Sequence, residues 1–593
     1  MKKYYVILAF VILFPLMVVA QWSNNPSINT TLIDTTGWNI LPKVATSANG
    51  DSYISWFSAI GDLNFHVVMQ LYDKNGYRKW TNDLIVSAHP TMTWVSDYNL
   101  LVDDEGNAVL VNQDLRSGSN NVYAWKISPA GEFLWGNDGI TVTQDINMMN
   151  LSPKVVKTPA GDFIVKWEKY PPDTTSPVKP VIGVQRITKN GDLLWGNGVF
   201  IRDTMYNYLA DILATEDSSI IVAWDRSQYY AEDTTLGERH YLHIYAQKFD
   251  LNGNPVWSNI IQVDTGNNLE VENYIRPYLE NDGNGGVFIL WKSLYPFSVT
   301  ELIQHLDADG NALWPGNGRE VSDLTDNSHS DGSQVYMPAT SELYVVWAEY
   351  HYDAAILSDC WGIYGQKFSA QGERLWGDSG KAIIPLNCSP DTVFLLPVAK
   401  KAPENDIAVF YQKEFLQINY PDTAIINQIY ATRVNSQGNY VWNNQVTLVS
   451  NSTSDEEYIC VGDSSQNQWI TAWSYWRNNN ARSGISAQNV KMDGQLGPLA
   501  IQEPDAFINA PEFYIYPNPV DQNATIYDKV EVSSHISISL LDSQGLIIKR
   551  IFEGDESPGE HFMPFTRNDY APGVYLLKME TSKTTRYLKM ILL

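Results

Sequence analysis

A glycine followed four residues later by a tryptophan recurs seven times in this chain: Gly76/Trp80, Gly131/Trp135, Gly191/Trp195, Gly253/Trp257, Gly310/Trp314, Gly372/Trp376 and Gly438/Trp442. An eighth glycine, Gly494, stands in the same setting, but Pro498 holds the tryptophan position. Six residues before each glycine runs a second row: Gln70, Trp125, Gln185, Gln247, Gln304, Gln366, Thr432 and Gln488. A third row lies farther upstream at Trp56, Asn112, Trp167, Trp224, Trp291, Trp347, Tyr411 and Trp473. Three rows that keep step through eight units of about sixty residues define a repeat architecture.

Each unit reads as four short strands. A first strand such as SPKVVKT turns into an apolar strand ending in the tryptophan row, and a variable segment follows. An alternating strand such as IYAQKFD then passes through an NG or DG turn into the last strand. Alternation bounded by such turns is the hairpin signature. The expected class is all-β: an eight-bladed β-propeller over residues 21–505, then a small Ig-like β-sandwich. The glycine is expected to supply a positive-φ turn and the tryptophan to pack between neighbouring units. The glutamine row is expected to hydrogen-bond backbone between units. The segment TLIDTTGWN precedes ILPKV as QDINMMN precedes LSPKV, so it is expected to close the ring by joining the last unit.

The repeat also explains several apparent motifs. Asp307, Asp309 and Asn311 alternate around Gly310 like a calcium loop, but the next acid is Glu320 and the sister copy SAQGERLW lacks the acids. A calcium loop needs a downstream bidentate carboxylate, so no metal and no cofactor is assigned. The stretch resembles a sialidase-type Asp-box, with the glycine one residue too early relative to Trp314. The Gly-x-x-x-Trp spacing resembles the tryptophan-docking repeat of the pyrroloquinoline-quinone family. That implies a propeller but not its redox chemistry, since adjacent cysteines are missing. Gly377-Asp378-Ser379-Gly380 occupies the turn position of other units, with no His and Asp tied to Ser379. The nine histidines show no H-E-x-x-H spacing. No catalytic residue is assigned.

Lys2 and Lys3 precede an apolar run over residues 4–19 that closes at Val18-Val19-Ala20, a signal-peptide pattern over residues 1–20. No later apolar run is long enough to span a bilayer. The net charge of −27 argues against nucleic acid or an anionic membrane as partner. Cys360, Cys388 and Cys460 are too few for a disulfide framework, and one bond or three thiols remain open.

Binding is expected on the face that gathers the long segments after the tryptophan row. Tyr170, Tyr229, Tyr230, Tyr350, Tyr352, Tyr475 and Trp476 are the candidate ligand-binding residues, suited to a glycan or a surface protein. The leading expectation is a binding or adhesion protein. The alternatives are a glycoside hydrolase or lyase, with acids from among Glu168, Asp225, Glu349 and Glu414, or a structural surface module.

After a linker at residues 506–511, residues 512–593 carry Tyr516-Pro517-Asn518-Pro519, Gly545, Gly559, Gly573-Val574-Tyr575 and Lys589, in that order. These motifs resemble the type A C-terminal sorting domain of bacterial type IX secretion. The resemblance implies export through the periplasm, partnership with the secretion machinery, and release or attachment at the outer surface.

Overall fold

A computed structural model describes residues 22–592, except 35–36, 62–63, 92–97, 173–177, 203, 234–236, 265–269, 272–275, 295–297, 390, 420–421, 452–454, 478–481, 500–512, 517, 531, 543–545, 568–569 and 582–584. The signal-peptide and linker segments, Pro517 and Gly545 therefore lie outside the described residues, as do the side chains of Tyr229, Tyr230 and Tyr516. Among the described residues the only helical element is the 3-10 turn Pro403–Asn405; the rest of the regular structure is strand. The chain divides into two units, Met1–Leu499 and Ala500–Leu593.

The first unit is propeller-like. Its described residues form eight antiparallel sheets, seven of them built from consecutive strands. The eighth takes Asp455–Val461, Gln468–Arg477 and Arg482–Lys491 from the end of the unit and its outer strand, Thr30–Ile33, from the beginning. Thr30 lies opposite Ala487.

The repeated tryptophan and glycine join one sheet to the next. Each Trp Nε1 donates to a carbonyl of the following sheet, two residues before that sheet's glycine. Trp80 reaches Pro129, Trp135 Lys189, Trp195 Leu251, Trp257 Ala308, Trp314 Ala370, Trp376 Ser436 and Trp442 Met492, at 2.8–3.3 Å. The indole covers the glycine itself, where a Cβ at Gly494 would stand 2.5 Å from Trp442. Glycine is thus required twice, for close approach and for a φ of +80°. The eighth joint uses a residue outside the motif. Trp22 donates from Nε1 to the Lys74 carbonyl at 3.2 Å and covers Gly76, so the position lost to Pro498 is filled from the start of the chain.

The glutamine row works inside one sheet rather than between sheets, which corrects the expectation above. Gln304 Oε1 accepts from the backbone N–H of Trp314, and its Nε2 donates to the Trp314 carbonyl at 3.1 Å. Gln70 treats Trp80 in the same way. The amide spans its own hairpin because the tryptophan's strand has left the ladder and its backbone needs a partner. In the eighth sheet Gln488 donates to the carbonyl of Ser23, the residue after Trp22.

Six of the first strands carry the same bulge. Leu41, Ser152, Leu209, Asp331, Leu396 and Tyr458 have φ between +49° and +58° where the pairing with the second strand slips. A bulge bends the strand and re-aims its next side chains, and none of the six residues is β-branched.

Several long segments after the tryptophan row are hairpin extensions rather than irregular loops. Ser219–Asp233 pairs with Gly237–Asp250, Glu342–Asp353 with Ser358–Phe368, and Ile407–Asn419 with Asp422–Val434. Their Tyr, Ile and Thr content continues the ladder past the body of the sheet. Cys360 and Cys388 form a disulfide beside one of these hairpins, and Cys460 is free.

The second unit has two antiparallel sheets over one apolar core that includes Ile526, Ile538, Phe565 and Leu577. Asn518 ties the last strand down: its Nδ2 donates to the Lys589 carbonyl at 2.8 Å and its Oδ1 accepts from the Ile591 N–H at 2.9 Å.

Candidate binding site on the propeller-like unit

The bulged first strands surround a cavity of about 620 Å³. Seven sheets line it, contributing Lys43, Lys154, Asp211, Tyr278, Glu280 and Tyr458 among others. Charges of both signs and two phenols give it a polar wall with apolar patches at Leu41 and Leu396.

Behind one wall lies a buried ionic cluster. Lys166 and Glu168 stand two residues apart on Phe163–Tyr170, so both point to the same face. They pair at 3.1 Å, and Glu168 also accepts from Tyr170 Oη at 2.6 Å and from the Ala210 N–H at 3.2 Å. Burial pulls Lys166 down to about 8, opposed by Glu168. Asp211, on the next sheet, is paired with Lys154 and accepts from the Leu279 N–H at 3.2 Å.

Asp225 is the next sheet's counterpart of Glu168, and neither of its oxygens accepts a hydrogen bond among the described residues. The strand register gives the reason. Asp211 lies opposite Ala223, and Tyr278 lies opposite Leu290, each the residue before a row tryptophan. The position equivalent to Ala210 is therefore Pro277, which has no N–H to give. Burial first, then Glu168 and Asp264, push Asp225 well above the usual carboxylate range, while Arg276 pulls the other way. Glu349 has partners of its own: Trp347 Nε1 at 2.6 Å and the Asn327 amide. Glu168, Asp225 and Glu349 are all buried. None of them presents an open acid to a substrate.

Glu414 belongs to a different group. It neighbours Glu457, which in turn neighbours Asp455, all three half-buried between the seventh and eighth sheets. Asp455 is pushed up to about 6, first by burial and then by Glu457, although Asn427 donates to it at 2.6 Å. Trp476 Nε1 donates to Glu457 at 3.0 Å, and its ring meets Trp38 edge-on at 5.5 Å. Glu457 precedes Tyr458, which lines the cavity, but the carboxylates of this group are not among its lining residues.

The other candidate residues separate. Tyr170 is tied to Glu168. Tyr350 donates to Asp359 at 2.7 Å and packs on Trp361 at 4.7 Å. Tyr352 is 49% exposed, whereas Tyr475 is 3% exposed and packed over Gly484. Tyr229 and Tyr230 lie on the strand Ser219–Asp233. Trp476 is the candidate that lies beside two half-buried carboxylates, those of Asp455 and Glu457. Sequence reasoning missed Asp455 and Glu457, although the run Asp455-Glu456-Glu457 at the head of a first strand was visible.

The second unit carries the address. Residues 514–593 match the family described as the secretion system C-terminal sorting domain. The chain is a type IX cargo, secreted or delivered to the cell surface. No described helix is long and apolar enough to cross a membrane. No curated protein matches the chain. Among solved structures, an ulvan lyase of polysaccharide lyase family PL25 aligns over 69% of this chain and 96% of its own, at 11% identity and a TM-score of 0.42. The polysaccharide lyase Uly1 aligns over 80% of this chain and 100% of its own, at 8% identity and 0.38. An α-L-arabinanase of Penicillium chrysogenum aligns over 58% and 94%, at 12% identity and 0.28. Similarity at this level assigns no substrate.

Proposed function

We propose that the eight sheets are the blades of a closed eight-bladed β-propeller, that the second unit is an Ig-like sandwich, and that type IX secretion delivers the pair as a carbohydrate-binding surface protein. The observation that carries the binding reading is Trp476, half-buried, held by Glu457 and Trp38, and directly across the strand pair from Asp455. An indole offers a face for the C–H side of a sugar ring, and carboxylates accept from its hydroxyls. A glycan and polysaccharide array probed with the exported chain should return a saturable hit. Trp476→Ala is expected to weaken that hit at least about tenfold, or about 1.4 kcal/mol. An array hit indifferent to this change would place binding elsewhere.

A second reading, as a glycoside hydrolase or lyase, is favoured by Asp455 alone. A carboxyl titrating at about 6 beside Glu457 has the pairing that acid–base chemistry on a glycosidic bond uses. Incubation with every bound polysaccharide should then yield shortened or unsaturated products, with loss of activity in Asp455→Asn. Binding without any product would eliminate this reading. Stability gives an independent check. The folded Asp455 titrates above its unfolded value of 3.8, so between about pH 4 and 6 the folded state holds a proton that the unfolded state has lost. Stability from this group therefore falls as pH rises through that window. Asp455→Asn is expected to raise the melting temperature at about pH 8 and to change it little at about pH 4.

A further inference from the structure

Two of the hairpins that run past the body of their sheets rise from one seam. Ala348, Tyr350 and Tyr352 alternate along Glu342–Asp353 and share a face, as Val409, Tyr411, Lys413 and Phe415 do along Ile407–Asn419. Ala348, Val409 and Tyr411 belong to the same apolar cluster between the sixth and seventh sheets, so these two faces border one another. Trp361 packs against that cluster and lies directly across from Tyr350, with the rings 4.7 Å apart. The Cys360–Cys388 disulfide fastens the strand that carries Trp361 to the residue after Lys381–Asn387. A wall held in this way loses little freedom when a ligand arrives.

Lys413 is the side chain that the seam does not account for. It is half-buried, lies across the strand pair from Phe394, and holds its Nζ 5.5 Å from the Phe394 ring and 4.4 Å from the Phe415 ring. The rings attract the charge but bring no carboxylate to its three N–H groups. Other buried or half-buried lysines of this unit each meet one: Lys126 with Asp103, Lys154 with Asp211, Lys166 with Glu168, Lys248 with Asp217 and Lys367 with Glu342. Lys169 stands where Lys413 does, two residues past the tryptophan row, and pairs with Asp145 at 2.6 Å. Glu414, the next residue after Lys413, faces the other way, toward Glu457. Burial accordingly pulls Lys413 below the usual lysine range, with no charge holding it up.

We propose that Lys413 receives the carboxylate or sulfate of an acidic polysaccharide whose sugar rings lie against Trp361 and Tyr352. The inference rests on the carbohydrate-binding reading above and adds the charge of the ligand. The net charge of −27 does not oppose it, because at physiological salt exposed charges are screened beyond about 8–10 Å and the local ammonium decides.

Affinity electrophoresis of the exported chain through gels holding dextran, pectate, carrageenan or polyglutamate, at low and high salt, tests the proposal. The expected result is retardation by pectate or carrageenan well beyond that by dextran; pectate alone assigns a carboxylate, and carrageenan alone a sulfate. Lys413→Met should weaken this binding about tenfold or more and flatten its salt dependence, whereas Lys413→Arg should keep it. Circular dichroism checks the fold, and Lys413→Gln replaces a Met variant that fails to fold. An acidic preference unchanged in Lys413→Met overturns the proposal but leaves the carbohydrate reading, which is judged by Trp476→Ala. Retardation by no polysaccharide overturns both. Polyglutamate held as tightly through Lys413 would assign the site to an acidic peptide and overturn the glycan.

Discussion

Alanine at position 22 is expected to destabilise the propeller-like unit by about 3–5 kcal/mol, the range for truncating a buried tryptophan. Trp22 is 1% exposed, its backbone N–H donates to the Asn75 carbonyl at 3.0 Å, and its indole covers Gly76. It also secures the seam at which the first and last strands of the propeller-like unit meet. There the outer strand of the eighth sheet is only the four residues Thr30–Ile33. Losing the joint frees a short strand that has no other anchor of this kind, so the damage should exceed that of Trp80→Ala, whose indole is only partly buried. Chemical denaturation of both variants against the parent measures the difference. A Trp22→Ala midpoint equal to the parent's would show that the seam is held by the strand alone.

The second large effect concerns Lys166. Lys166→Met leaves Glu168 buried with its strongest partner gone, and breaking a buried pair from one side costs about 3–5 kcal/mol. Tyr170 and the Ala210 N–H still hold Glu168, so the lower half of that range is expected. The double variant Lys166→Met, Glu168→Leu should recover most of the loss, because it removes the uncompensated charge as well as the pair. Melting curves for the two single variants and the double variant form a mutant cycle. If the double variant were as unstable as the sum of the singles, the two side chains would be acting independently and the pairing argument would fail.

The repeat was legible because its rows recur at nearly fixed distances along the chain. The role of Trp22 was legible too, had each tryptophan been matched with the glycine that follows it in the next sheet. Trp22 precedes Gly76 by 54 residues, inside the 51 to 62 that separate every other tryptophan from the glycine it covers. The glutamine row was harder, since a buried amide can reach in either direction and spacing does not say which. The bulges at Leu41, Ser152, Leu209, Asp331, Leu396 and Tyr458 left no residue signature, because a left-handed leucine looks like any other in a sequence. Tyr475 and Trp476 differ for a plain reason. Adjacent residues on a strand face opposite ways, so one packs over Gly484 while its neighbour meets Glu457 and Trp38.

In the closed propeller proposed above, a ring stapled shut by residues 22–33 has no preferred starting point. The joint between the eighth and first sheets uses the same indole, glycine and carbonyl as the other seven joints, differing only in that the polypeptide is interrupted there. A circular permutant that links residue 497 to residue 22 and opens within the Asp353–Ser358 hairpin turn would move the interruption and keep every joint. Where the chain begins is thus a matter of how it is threaded rather than of how it is held together.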